Sequence, residues 1–255
     1  MSKLPASTGW LWLKGGFALF RRQPGILTML LFANLMISIL VSTIPLVGSA
    51  LALVLIPSLS MAVLQGCFLI EQGQRVAPHV FLTGFQQPAV RALCRLGLVY
   101  AAVLLVPSVV ARLAIDPAFW EQLANQVDPK TPPAVNANDL LIWFGTSLTT
   151  SVALLVLYFA APLTYWKKMP TLKACFYSVF AVWGAIKPMI IMLMAWFGIF
   201  LGVTMAVAML LGSSNAARVV IFWAGMLFVL VLQCAFYAAY RQIFGDPADP
   251  AEPPK

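Results

Sequence analysis

Residues 23–70 read QPGILTMLLFANLMISILVSTIPLVGSALALVLIPSLSMAVLQGCFLI, and no charged side chain interrupts them. A helix needs about 20 apolar residues to cross the hydrocarbon of a bilayer, so this stretch is long enough to cross twice. Ile44, Pro45, Leu46, Val47 and Gly48 punctuate its middle, and proline with glycine in an unbroken apolar run predicts a helical hairpin turning there. Further charge-free stretches occupy 140–166, 188–217 and 219–240. Apolar windows place six spans at 24–44, 47–70, 92–114, 140–162, 188–211 and 217–240.

Composition agrees. The chain is 62% hydrophobic and 9% charged, whereas soluble domains carry about 25% charged residues. The runs are continuous rather than alternating over about ten residues, which favours helices over a membrane barrel. The fold class expected is all-α: a polytopic membrane helix bundle of six transmembrane helices, forming one domain over 1–245, with a disordered tail over 246–255. The first apolar run follows a polar region too long for a signal peptide, and it is read as an uncleaved span.

Short basic loops are retained in the cytoplasm, so orientation follows from lysine and arginine. With the N-terminus inside, all but Arg112, Lys130 and Arg218 of the 16 basic residues fall on the cytoplasmic side, and both termini lie there. The one long outside loop carries Asp116, Glu121, Asp128 and Asp139; a short helix is expected over 117–127, an irregular loop follows to 138, and Arg112 snorkels to the interface. The net charge of +8 is thus spread beside spans as a topological signal rather than gathered on a nucleic-acid-binding face, and no nucleic acid is expected as partner. Cys67, Cys94, Cys175 and Cys234 all sit near cytoplasmic span ends, where thiols stay reduced, and no disulfide is expected. With one histidine, His79, and no Cys-x-x-Cys, neither a metal site nor any other cofactor is indicated.

Three cytoplasmic segments share an aromatic-rich stretch, one or more polar or basic residues, and a proline that opens the next span: 17–24 (FALFRRQP), 81–88 (FLTGFQQP) and 180–188 (FAVWGAIKP). Proline suits the first position of a helix, where its missing N–H costs nothing. In the third segment Leu172, Phe176, Val179, Trp183 and Ile186 recur at helical spacing, opposite small residues Ala174, Ser178, Ala181 and Ala185. In the first, Trp10, Leu13, Phe17 and Phe20 make a similar stripe. Amphipathic helices over 8–22 and 170–186 are therefore expected in the interface, aromatics at headgroup depth. The segments outline a threefold repeat of interfacial helix plus membrane hairpin.

The opening residues 9–20 (GWLWLKGGFALF) with Pro24, and the later 180–188, resemble an uncharacterised family of small six-span proteobacterial inner-membrane proteins. More distantly, the layout is similar to YciC-type inner-membrane proteins and to the membrane domain attached to some glycerophosphodiester phosphodiesterases. The resemblance implies a bacterial inner membrane and six helices; it supplies no catalytic residues.

No nucleophile elbow, zinc-binding His-Glu-x-x-His, Walker loop or dinucleotide fingerprint is present, and no acid lies deep in a span, so the chain is not expected to be an enzyme. Glu71, the acid at a cytoplasmic span end, is the candidate polar site; its bland reading is a helix-end carboxylate paired with Arg75 four residues on. His79 is read as solvated or facing headgroups. Asn34, Gln65, Thr149, Thr150 and Gln233 are read as hydrogen bonds between helices, and Pro57, Pro107 and Pro162 as kinks. Ala195, Gly198, Gly202 and Ala206 form a row of small residues on the fifth span, read as internal bundle packing, with a homodimer seam as the second reading. Lys14, Arg21, Arg22, Lys167 and Lys168 are the candidate contacts to anionic lipid headgroups. The function expected is a non-enzymatic component that organises lipid or binds a partner; besides the bilayer, a second copy or another membrane protein stands open as partner. The alternative is a small uncoupled transporter or channel, supported by the repeat and the kinked spans. Ion-coupled transport is disfavoured, because it usually needs ionisable groups inside spans.

Overall fold

The computed structural model describes residues 4–87, 89–124, 136–212 and 214–247. Its helices are α1 (Thr8–Arg22), α2 (Pro24–Ser42), α3 (Gly48–Glu71), a 3₁₀ segment (Pro78–Phe85), α4 (Ala89–Ala114), α5 (Pro117–Ala124), α6 (Ala137–Leu157), α7 (Ala160–Trp166), α8 (Thr171–Gly184), α9 (Ile186–Leu211) and α10 (Asn215–Phe244). There is no strand among the described residues. Six helices are long and apolar enough to cross a membrane: α2, α3, α4, α6 with α7, α9 and α10. The fold is an all-α polytopic bundle. Most of the expected loop over 128–138 and of the tail over 246–255 lies outside the described residues.

Local chemistry sets the boundaries. Pro24 opens α2, Asn136 accepts from the Asn138 amide at the start of α6, and Ser214 accepts from the Ala217 amide to cap α10. Each side-chain cap replaces a partner that a helix's first turn lacks. At the expected hairpin turn, α2 stops at Ser42 and α3 resumes at Gly48, with Leu46 at φ 68. Pro57 and Pro107 stay inside continuous helices. Pro162 does not: the fourth span breaks at Tyr158 and Phe159 and runs on to Trp166, four residues past the expected end. Proline's ring collides with the carbonyl four residues back, and four residues before Pro162 is Tyr158.

The packing repeats. α2 lies against α3, α4 against α6, and α9 against α10; α8 packs on α6 and α7, the 3₁₀ segment packs on α3, and α1 packs on α10. Each short segment thus sits on the second span of the preceding hairpin, and α1, which precedes the first hairpin, closes on the last. Up-and-down connectivity brings the basic residues, except Arg112 and Arg218 among those described, to one end of the bundle, called here the basic end.

α1 packs at that end against α9 and α10. A Cβ on Gly9 would come 2.0 Å from the Pro188 carbonyl oxygen of α9, and one on Gly16 would come 2.5 Å from the Ala235 nitrogen of α10. Its last residues reach the loop after α3, where Gln23 donates to the Gln74 carbonyl and accepts from the Val76 amide. The expected stripe is only half right: Trp10 and Phe17 are exposed, whereas Leu13 is buried together with Trp12, whose indole donates to Gln242. Gly9 and Gly16, without side chains, decide which face docks. In α8 the small face docks instead: Ala174, Ser178, Ala181 and Ala185 are buried, while Leu172, Phe176 and Trp183 point outward.

The middle segment departs from an interfacial helix. After Glu71 the chain reverses at Gly73 and runs back along α3, Val76 beside Gly66 and Gly84 against Ser58, where a Cβ would come 2.1 Å from a carbonyl oxygen. Eight residues of α3 separate Gly66 from Ser58, about 12 Å of helix.

Burial is concentrated at the basic end. Met61–Ile70 of α3, Leu93 and Leu96 of α4, nearly all of α7, Met189 and Met192 of α9, and Leu230 to Tyr240 of α10 form one core. At the far end Leu40, Val109, Leu141, Phe144, Leu210 and Val219 are exposed. A small second cluster of Ala111, Ile115 and Phe119, backed by Trp120 and Ile142, tethers α5 there.

Candidate functional site

The site forms where the ends of α3, α7 and α10 converge. On α10, Cys234, Tyr237 and Arg241 fall three and four residues apart, hence on one face; on α3, Cys67 and Glu71 do the same. The two faces meet in register. The Cys67 and Cys234 sulfurs stand 3.3 Å apart, both thiols free and buried. One turn further out, the Tyr237 hydroxyl donates to Glu71 Oε2 at 2.5 Å, and Arg241 Nε pairs with the same oxygen at 3.0 Å. Arg241 also engages Asp246 through Nη1, and Lys167 donates to the Asp246 carbonyl at 3.1 Å. From α7, the Trp166 indole donates to Gln65 Oε1 at 2.9 Å and packs against Tyr237 and Tyr240.

Glu71 therefore has a partner other than the one its neighbourhood suggests. Its ion pair is with Arg241, 170 positions away, rather than with Arg75. The side chains of Glu71 and Arg241 are 37% and 29% exposed, so solvent screens the pair to about 1 kcal/mol or less. The hydrogen bond from Tyr237 adds a comparable amount. Above the pair opens a cavity of about 550 Å³ lined by Gln65, Glu71, Gln72, Gln74 and Arg241 among others. Amides and an already neutralised ion pair suit hydrogen bonding to a polar group, and the described lining pairs no nucleophile with a base.

The other candidate residues distribute as follows. Lys14 lies over the Trp10 ring at 5.6 Å and Arg21 over Phe17 at 5.9 Å; Arg22 and Lys168 are exposed at the same end. Lys173 repeats the arrangement over Tyr177 at 5.9 Å. At the far end, Arg112 lies 6.0 Å from Trp120, while Asp116 caps α5 by accepting from the Ala118 amide. Asn34 donates across to the Leu59 carbonyl of α3, as expected of an intramembrane amide. Thr149 and Thr150 instead bond back to carbonyls four residues earlier in α6 and link no helices. The row on α9 is not internal packing at its glycines: Gly198 and Gly202 have open space within 4 Å, Ala206 is exposed, and Ala195 alone touches the core.

Sequence reasoning named Glu71 but missed Tyr237, Arg241 and Trp166. Arg241 was legible as the basic residue that immediately follows the last expected span, at the same end as Glu71. Trp166 was not, because its partners Gln65, Tyr237 and Tyr240 lie on helices remote from it in sequence.

Comparison with known proteins adds one relative. The chain is 30% identical to a probable inner membrane protein of Burkholderia thailandensis over 262 aligned positions, covering 98% of this chain and 97% of that one. No known family pattern and no solved structure matches the chain.

Proposed function

The chain belongs to the same family as the Burkholderia thailandensis protein, and we propose that it is a non-enzymatic inner-membrane component that gathers anionic phospholipid at its cytoplasmic face. Both termini are cytoplasmic in this reading, because the basic end is the one that the positive-inside rule retains. The observation that carries it is the pairing of cation with exposed aromatic around that end: Lys14 with Trp10, Arg21 with Phe17, Lys173 with Tyr177. Aromatic rings settle at headgroup depth, and each cation beside them attracts an anionic surface by about 1 kcal/mol. The docking mode of α8, large side chains outward and small ones inward, supports the same reading. The likeness to YciC-type proteins and to the phosphodiesterase membrane domain adds only a shared layout.

Reconstitution into vesicles of phosphatidylcholine with or without phosphatidylglycerol tests this. Replacing Arg21, Arg22, Lys167 and Lys168 with glutamine should abolish the enrichment of phosphatidylglycerol that copurifies with the wild-type protein. Equal enrichment would overturn the reading. Reporter fusions at Lys168 and after residue 247 should be active inside, and one at Lys130 outside.

The second reading, an uncoupled transporter or channel, is favoured by the broken fourth span and by the polar cavity beside Glu71. Solute leakage from protein-loaded vesicles that disappears on Glu71→Leu would support it.

A further inference from the structure

A second cavity differs from the first in every chemical respect. It holds about 430 Å³ between α1, α9 and α10, and its walls are apolar, among them Trp10, Phe17, Trp196, Ile199 and Leu227, with one exception, Lys14. No acid lines it. Trp10, Phe17 and Ile199 are also exposed, so the groove opens on the outer surface of the bundle, where lipid lies. Its floor is rigid: the Trp196 indole donates to the Phe228 carbonyl at 2.8 Å and stacks on Phe200, and Phe228 packs against both rings.

Direction matters as much as composition. Lys14 lies on α1, where the next residue, Gly15, meets Ala238 near the basic end of α10, whereas Ile199 is thirteen residues into α9, about 20 Å along the span. The groove therefore runs from a cation at the end of the bundle toward the middle of the hydrocarbon, the path of an acyl chain hanging from a phosphate. The close approach of Gly9 and Gly16 to α9 and α10 holds α1 over the groove as one wall.

We propose that this groove is a binding site for one anionic glycerophospholipid, its phosphate on Lys14 beside Trp10 and one acyl chain between Trp196, Ile199 and Leu227. The site rests on the lipid-gathering reading above and sharpens it from a diffuse belt to a single place. Charge selects the occupant, since a lone lysine in an apolar groove without acids favours an anionic headgroup over a zwitterionic one.

The test uses the full chain in phosphatidylcholine vesicles doped with phosphatidylglycerol carrying a photoreactive acyl chain, and crosslinks are mapped after illumination. Crosslinks should concentrate at Trp196, Ile199 and Leu227 and fall about fivefold in Lys14→Gln, the worth of one basic residue near an anionic surface. Lys14→Arg should restore them, and Ile199→Trp should remove them by filling the groove with Lys14 intact. Phosphatidylcholine carrying the same chain should label all lipid-facing spans evenly. An even pattern from the anionic probe, or chain-to-chain crosslinks in the groove, overturns the site. The two readings separate cleanly: groove labelling in a protein whose bulk enrichment is unchanged when Arg21, Arg22, Lys167 and Lys168 are neutralised keeps the site and discards the belt. Bulk enrichment without groove labelling does the reverse.

Discussion

The two ends of the bundle are built from the same kinds of helices and packed quite differently. At the basic end, small residues face backbone: Gly9 against Pro188, Gly16 against Ala235, and Ala174 and Ala181 of α8 buried. At the far end large side chains point outward from every span, and Gly198 and Gly202, which have the right shape for close approach, meet nothing within the chain. Lipid tails are as apolar as leucine, so no hydrophobic force pulls bare spans together in the membrane; close packing and hydrogen bonds must do it. Short segments wedged between the spans supply both at the basic end. The far end receives only α5.

The sharpest way to break this contrast is to add bulk at each end. Gly16→Leu should cost about 3 kcal/mol, because backbone rather than a flexible side chain stands where the new atoms would go. Gly202→Leu should change stability by about 0.5 kcal/mol or less. Heating each variant in detergent and following the monodisperse fraction checks both, and equal losses would mean that the far end is as closely packed as the basic end.

A smaller effect is expected at the ion pair. Glu71→Gln should lower stability by about 1 kcal/mol, and a double-mutant cycle with Arg241→Gln should show a coupling of about 0.5 kcal/mol. No coupling would mean that Glu71 answers to another group. Thiol labelling then probes the core without mutation: Cys94 and Cys175 should react with a membrane-permeant maleimide, whereas Cys67 and Cys234 should wait for unfolding. Burial pushes the Cys175 thiol up, and only the thiolate attacks, so its rate should keep climbing with pH beyond the range of an ordinary cysteine. The smallest effect is in distance distributions: nitroxides at residues 40 and 205 should give a broader distribution than a pair at residues 22 and 168.

Much of the fold was legible because membrane spans are written in long charge-free runs, and all six spans lie within four residues of their expected bounds. The break inside the fourth was placed differently, since apolar windows do not register that the helix parts at Tyr158 and Phe159 and resumes as α7 through Pro162. The helices over 8–22 and 170–186 were found by periodicity, but the docking face of α1 was not. Periodicity locates a large-residue stripe, and here the contact is made by the glycines that seemed to interrupt it. For the 3₁₀ segment, aromatic content suggested an interfacial helix, whereas Gly84 carries it back along α3. The site was half legible: Glu71 and Arg241 are each visible as charges at span ends, and their pairing across 170 positions is not.

The closure of α1 on α10 sets a timetable for biogenesis. Trp12 and Gln242 are separated by 230 positions, and at translation rates of about 5 to 20 residues per second the last helix emerges some ten to fifty seconds after the first. Until α9 arrives Gly9 has no mate, and until α10 follows Gly16 has none. Ring closure is thus the final event of assembly, and a chain stopped before α10 would display the Gly16 face of α1 to the proteases that cull unfinished proteins.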